Sequence, residues 1–88
     1  AYEVKDLSLS VENGIAKASI STDVEDAKVF LAVYNGSRLI GADMGVSGEE
    51  LTLSGVKSGD VVKVFAWNMQ KLVPLTINPD YNTSLAVQ

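Results

Sequence analysis

Short stretches in which apolar and polar residues alternate, separated by turn residues, run along most of this chain. Residues 3–11 alternate, with Leu7, Leu9 and Val11 on one side and Ser8 and Ser10 on the other, which is typical of a strand with one buried face. Asn13 and Gly14 follow, and this dipeptide favours a tight hairpin turn. Residues 15–22 then alternate again. The pattern predicts a two-stranded hairpin whose apolar side lies in the core.

Two other stretches, residues 28–34 and 61–68, are apolar on both faces. Strands of this kind are expected at covered, central positions of a sheet. The second stretch carries Phe65 and the single tryptophan, Trp67. We expect both rings in the core, with Lys63 extending past its rim, because large aromatic side chains usually supply much of the burial in a small domain. The alternative is an exposed aromatic platform that stacks on sugar rings.

The remaining strands are shorter or interrupted. Residues 38–46 contain Gly41 and Gly45, which suggests an edge strand or a bulge. The whole pattern predicts an all-β fold, a seven-stranded antiparallel β-sandwich. One sheet is expected to hold strands near 4–11, 15–22 and 50–54, and the other to hold strands near 28–35, 38–46, 61–68 and 72–77.

The sandwich domain is expected to span residues 1–77. Residues 78–88 are left open as a C-terminal tail, a linker, or one more strand through Leu85 and Val87. Twelve side chains are expected in the core: Leu7, Leu9, Val11, Ile20, Val29, Leu31, Val33, Leu51, Leu53, Val62, Val64 and Trp67.

Composition narrows the chemistry. The chain has 88 residues and neither Cys nor His, which removes thiol nucleophiles, imidazole bases, disulfides and most transition-metal sites. No catalytic residue, metal site or cofactor is predicted, and we expect the domain not to be an enzyme. Asp23, Glu25 and Asp26 crowd one predicted loop, but they lack the periodic spacing of a calcium loop, so calcium binding there stays an open alternative to a solvated acidic loop.

The charge balance argues against polyanionic partners. The net charge is −4 and the seven basic residues are scattered singly, so neither nucleic acid nor an anionic membrane surface is expected to bind. No apolar run approaches the roughly 20 residues of a membrane helix. We expect a monomer. The chain begins at Ala1, and we expect a mature product or a domain cut from a longer polypeptide.

Three stretches together resemble a known group of domains. They are residues 29–34 (Val-Phe-Leu-Ala-Val-Tyr), residues 36–40 with their Arg-Leu-Ile, and residues 62–68 followed by Pro74 and Leu75. This sequence resembles the small immunoglobulin-like or fibronectin-III-like accessory domains of large secreted and cell-surface proteins of clostridia and related Gram-positive bacteria. The resemblance covers residues 7–75 and implies an extracellular, non-catalytic module, often appended to polysaccharide-active enzymes or adhesin-like chains.

The expected function is therefore that of a spacer or docking module, whose partners are neighbouring domains of a larger protein that is secreted or on the cell surface. The alternative is a carbohydrate-binding module for a cell-wall or plant polysaccharide, with Tyr34, Trp67 and Tyr81 as the candidate sugar contacts. A third possibility is a protein-docking domain that uses the edge of the glycine-bearing strand at 38–46.

Overall fold

The structure, a computed structural model, describes residues 2–88, and these residues form strands joined by turns and loops. There are eight strand segments in this part of the chain: β1 (Val4–Glu12), β2 (Ile15–Thr22), β3 (Ala27–Asn35), β4 (Arg38–Gly45), β5 (Leu51–Leu53), β6 (Val61–Asn68), β7 (Val73–Pro74) and β8 (Ser84–Ala86). The all-β prediction is confirmed.

The strands pair antiparallel in two sheets. The smaller sheet has the order β1-β2-β5, and the larger has the order β4-β3-β6-β7, with β8 also paired to β6. β1 to β7 therefore lie in the sheets to which the sequence pattern assigned them, and β8 had no assignment. The predicted hairpin turn is present, and Asn13 and Gly14 both have positive φ, as such a turn requires.

The C-terminal part differs from the single last strand expected at 72–77. β7 covers one end of β6, where Trp67 pairs with Pro74, and β8 covers the other end, where Val62 pairs with Leu85. Between them the chain crosses towards the smaller sheet, because Thr76 accepts the backbone N–H of Glu3 on both its carbonyl and its hydroxyl oxygen. Residues 84–86 thus form a strand within the segment 78–88.

The core lies between the two sheets. Eight of the side chains expected there are buried, namely Leu7, Ile20, Val29, Leu31, Val33, Leu51, Val62 and Val64. Leu9, Val11 and Leu53 are partly buried and pack against this cluster. Val56 and Leu75, from the segments flanking β6, also belong to it.

The prediction that Phe65 and Trp67 lie in the core is wrong. Val62, Val64 and Ala66 are buried between the sheets, and successive side chains of a strand point to opposite faces, so Phe65 and Trp67 point away from the core. Both rings are half-buried on the solvent side of the larger sheet. The small side chain of Ala66 occupies the inward position that the indole was expected to fill.

β4 is an edge strand of the larger sheet, as its glycines suggested, and its pairing with β3 is interrupted by a bulge beside Val33 and Tyr34. Gly41 and Gly45 face the smaller sheet, where a Cβ on Gly41 would lie 3.9 Å from Leu53 and a Cβ on Gly45 would lie 2.7 Å from Leu51. The glycines therefore allow β4 and β5, on different sheets, to approach each other closely.

Candidate binding surface

The solvent side of the larger sheet, here called the outer face, is largely apolar. Register places its side chains in cross-strand rows over β4, β3 and β6, and each row shares one face because paired residues point the same way. The members are Lys28, Phe30, Ala32 and Tyr34 of β3, Leu39, Ala42 and Met44 of β4, Val61, Lys63, Phe65 and Trp67 of β6, and Pro74 of β7.

The corresponding side of the smaller sheet is polar. There Ser8 faces Ser19 with their hydroxyl oxygens 2.9 Å apart, and Lys17 is paired with Ser10 and Thr52. The two sheets thus present surfaces of contrasting polarity to solvent, one apolar and one polar. Antiparallel sheets commonly have one solvated polar face, which the smaller sheet shows and the larger sheet does not.

Three aromatic rings of the outer face contact neighbouring side chains. Phe30 and Phe65 are directly paired across β3 and β6, and their rings stack with centroids 5.4 Å apart and planes 19° apart. The ammonium group of Lys63 lies 5.4 Å from the centroid of the Tyr34 ring. Ala32, in the middle of the face, is only 3 % exposed although it lies outside the core cluster. These contacts pack neighbouring side chains of the outer face against one another.

The charges of the outer face have one sign. Lys28 and Lys63 are its charged members, whereas all eleven acidic residues lie at other positions of the chain. Neither lysine forms an ion pair with a carboxylate within residues 2–88, where Lys5 and Asp23 form the pair that is present. An acidic protein therefore carries a weakly cationic, apolar surface.

The three candidate sugar contacts are not brought together. Tyr34 and Trp67 both lie on the outer face, but at opposite ends: Trp67 pairs with Lys28, six residues from Tyr34 along β3, which corresponds to roughly 20 Å. Tyr81 lies elsewhere, with its ring packed against the core and its hydroxyl donating to the carbonyl oxygen of Lys5 at 2.9 Å. Its hydroxyl holds the C-terminal segment on β1.

The free edge of β4 carries exposed apolar side chains, but two backbone N–H groups along it are already hydrogen-bonded to carboxylates. Met44 and Val46 are 57 % and 50 % exposed. The N–H of Met44 donates to the Asp43 carboxylate at 2.9 Å, and the N–H of Val46 donates to the Glu49 carboxylate at 3.1 Å. Neither N–H is available to an added strand, and the bulge disturbs the edge further, so strand addition is disfavoured here.

A buried carboxylate, Asp60, lies at one end of the sandwich. Asp60 is 3 % exposed and accepts the Asn35 side-chain amide at 3.0 Å and the Lys57 backbone N–H at 2.9 Å. These two hydrogen bonds, with the Asn35 amide the larger cause, hold the pKa of Asp60 below its ordinary value of 3.8. The carboxylate thus fixes the turn before β6 to the end of β3, which is a structural role.

The remaining surface features give weaker evidence of a binding site than the outer face does. A depression of about 460 Å³ at the same end is lined by Asn13, Val56, Ser58 and the last residues of the chain, and no charged side chain lines it. In the acidic loop, Asp23 pairs with Lys5 and Asp26 has a positive φ of 58°. Among residues 2–88 no three His, Cys, Asp or Glu side chains are grouped closely enough to hold a metal ion. The same residues include no helix long and apolar enough to cross a membrane.

Comparison of this chain with protein-family models, with curated proteins and with solved structures finds no match. The candidate function therefore depends on the surface itself. Its informative members Phe30 and Lys28 were not singled out from the sequence, because β3 is apolar on both faces and the pattern does not show which face is exposed. Met44, on the interrupted strand β4, was not singled out either.

Proposed function

We propose that this domain is a non-catalytic docking or spacer module of a larger extracellular bacterial protein, and that it rests its outer face against a neighbouring domain. The observation that carries the proposal is the contrast between the two sheets. Phe30, Phe65 and Met44 occupy solvent-side positions on one sheet, where the other sheet places serine, threonine and lysine. Contiguous exposed apolar surface on a small domain marks an interaction site more often than chance.

The size of the outer face supports contact with a domain. Three strand spacings of about 4.8 Å and a length of about 20 Å along β3 give a patch of roughly 300 Å². Interfaces between domains of one chain bury about 600–1,500 Å² in total, of which one side is half. The patch falls at the lower end of this range, which fits a module that is held in place by its chain connections as well as by contact.

The finer fold assignment belongs to the same proposal. Pairing of the fourth strand with the third, rather than with the fifth, favours a fibronectin-III-like domain over an immunoglobulin constant domain, whose fourth strand lies in the sheet of the first, second and fifth. β7 and β8 then count as one interrupted seventh strand, because both pair with the same edge of β6. The sequence resemblance to accessory domains of Gram-positive surface proteins supports the same assignment and an extracellular location.

The second candidate is a carbohydrate-binding module, favoured by the half-exposed indole of Trp67 on the outer face. Stacking on a sugar needs an aromatic ring face that is open to solvent. The Phe30 and Phe65 rings each turn one face to the other, and the Tyr34 ring is covered by Lys63. Trp67 therefore stands alone as a platform, and docking of a protein surface accounts for more of the outer face.

Denaturant unfolding tests the docking proposal. The domain is expected to unfold at a higher urea concentration within its parent polypeptide than alone, because contact with the neighbour stabilises it. Met44 lies on the edge strand of the outer face, and Met44→Glu is expected to remove this increase in the urea midpoint. Lys17→Glu, on the polar sheet, is expected to leave the increase unchanged. Equal midpoints for the domain alone and in its parent chain would contradict the proposal.

A further inference from the structure

The charges of the outer face point to a particular kind of partner. We propose that it takes an extended protein segment with two carboxylates four residues apart and an apolar side chain midway between them, all on the same side of the segment. This inference rests on the docking function proposed above and adds the chemistry of the partner.

The first step concerns the position of the two lysines. Lys63 is paired with Ala32, which is four residues from Lys28 along β3. Four residues of strand cover about 13 Å, and one strand spacing adds about 4.8 Å sideways, so the two lysines are attached to backbone points roughly 14 Å apart. In an extended segment, residues i and i+4 are also about 13 Å apart and point to the same side.

The second step concerns what lies between the lysines. The stacked rings of Phe30 and Phe65 occupy the row between Lys28 and Lys63. A side chain at i+2 of the segment would therefore meet the two phenylalanine rings when i and i+4 meet the two lysines. An apolar residue suits that position, because a polar side chain would lose its water without gaining a partner.

The third step excludes the main competitors on physical grounds. A second copy of this chain placed face to face would bring Lys28 and Lys63 against the same lysines, and like charges across an interface are costly. A sugar chain offers no charge to these ammonium groups unless it is acidic, and the covered rings of Phe30, Phe65 and Tyr34 offer it little stacking surface. A carboxylate-bearing segment satisfies both the charges and the apolar row.

A peptide titration tests the inference on the 88-residue chain itself. The probe is a capped nine-residue peptide with glutamate at its third and seventh positions, leucine at its fifth and threonine elsewhere. Binding is followed by amide chemical shifts and by the emission of Trp67, the single tryptophan, which adjoins Lys28. The control peptide has the same composition but glutamates at the fourth and sixth positions, which places them on the opposite side from the leucine.

We expect the first peptide to shift residues of β3 and β6 with a dissociation constant of about 1 mM or tighter, and the control peptide to bind at least about tenfold more weakly. Lys63→Glu is expected to weaken the first peptide about tenfold, because one of its two glutamates then meets a like charge. Lys17→Glu, on the polar sheet, makes the same charge change and is expected to have no effect.

Several outcomes would overturn the inference: equal binding of the two peptides, no effect of Lys63→Glu, shifts produced by polysaccharide but by neither peptide, or a concentration-dependent dimer that Lys63→Glu strengthens. If these occur while the parent polypeptide still stabilises the domain through Met44, the partner chemistry is wrong and the docking function stands. If the parent polypeptide gives no stabilisation, the docking function itself fails.

Discussion

The rings of Phe30 and Phe65 stack across β3 and β6 with centroids 5.4 Å apart, on the side of the larger sheet that faces solvent. Each ring covers part of the other, so two large aromatic side chains remain half-buried without entering the core. This pair lies in the row between Lys28 and Lys63 on the outer face.

The Phe30–Phe65 stack is expected to contribute a measurable coupling free energy. Aromatic pairs of this kind add about 0.5–1.5 kcal/mol beyond the area that they bury. Urea unfolding of Phe30→Ala, Phe65→Ala and the double variant gives this coupling energy as the departure from additivity. Strictly additive losses of unfolding free energy would show that the rings do not support each other.

The core is expected to be far more sensitive than the outer face. Leu31 is fully buried between the sheets, so Leu31→Ala is expected to cost about 2–5 kcal/mol of unfolding free energy, through lost burial and the cavity that remains. Trp67→Phe, on the outer face, is expected to cost less than about 1.5 kcal/mol. A larger loss of unfolding free energy for Trp67→Phe than for Leu31→Ala would show that the indole lies in the core.

How much of this arrangement the sequence predicted is clear from the two central strands. Alternation in residues 3–11 and 15–22 showed which side of each strand is buried, and sheet membership followed from the contrast between alternating strands and strands that are apolar on both faces. In residues 28–34 and 61–68 both sides are apolar, so the pattern showed that the strands are central but did not distinguish their faces.

A signal for the faces was nevertheless present. Lys28 and Lys63 have the same parity in their strands as Phe30 and Phe65, and a charged side chain rarely points into a core. The two lysines mark the solvent side, and the aromatic residues share it. The expectation that the largest rings supply the core outweighed this signal and placed Trp67 wrongly. The charge pattern of the outer face needed the cross-strand register, which a single sequence does not provide.

The two glycines of β4 are expected to respond differently to alanine. A Cβ at Gly45 would clash with the Glu49 carboxylate and lie 2.7 Å from Leu51, so Gly45→Ala is expected to cost about 1–3 kcal/mol through overpacking. At Gly41 the nearest atom, on Leu53, is 3.9 Å away, and Gly41→Ala is expected to be neutral or stabilising. Thermal unfolding of the two variants compares them directly; similar losses in both would show that β4 and β5 are not packed as described.

The carboxylates along the edge of β4 are expected to keep the domain from associating through that edge. Removing them in the double variant Asp43→Ala, Glu49→Ala frees the N–H groups of Met44 and Val46, beside exposed apolar side chains. Sedimentation velocity is expected to show concentration-dependent association for this variant. The double variant Glu12→Ala, Asp80→Ala, which changes the net charge equally, is expected to sediment like the unsubstituted domain. Association of both variants would show that the effect comes from charge alone.

Acid stability is expected to depend on Asp60. Its pKa is lower in the folded chain than its ordinary value of 3.8, so its contribution to stability is complete above that value and is lost as the pH falls through the folded-state pKa. Urea unfolding between about pH 6 and pH 2 is expected to show a fall below pH 3.8 that is smaller in Asp60→Asn. Asp80→Asn serves as the exposed control. If Asp60→Asn lost as much unfolding free energy below pH 3.8 as the unsubstituted chain does, the role of the Asn35 and Lys57 hydrogen bonds would be contradicted.

The most direct test of the docking face is oxidative footprinting of Met44 and Trp67 in the parent polypeptide and in the 88-residue chain alone. Both side chains lie on the outer face, and Met44 is 57 % exposed in the domain by itself. Contact with a neighbour is expected to slow oxidation of both residues in the parent polypeptide and to leave the exposed Ile15, in β2 of the smaller sheet, unchanged. Equal oxidation rates for Met44 and Trp67 in the two samples would contradict the docking of this face.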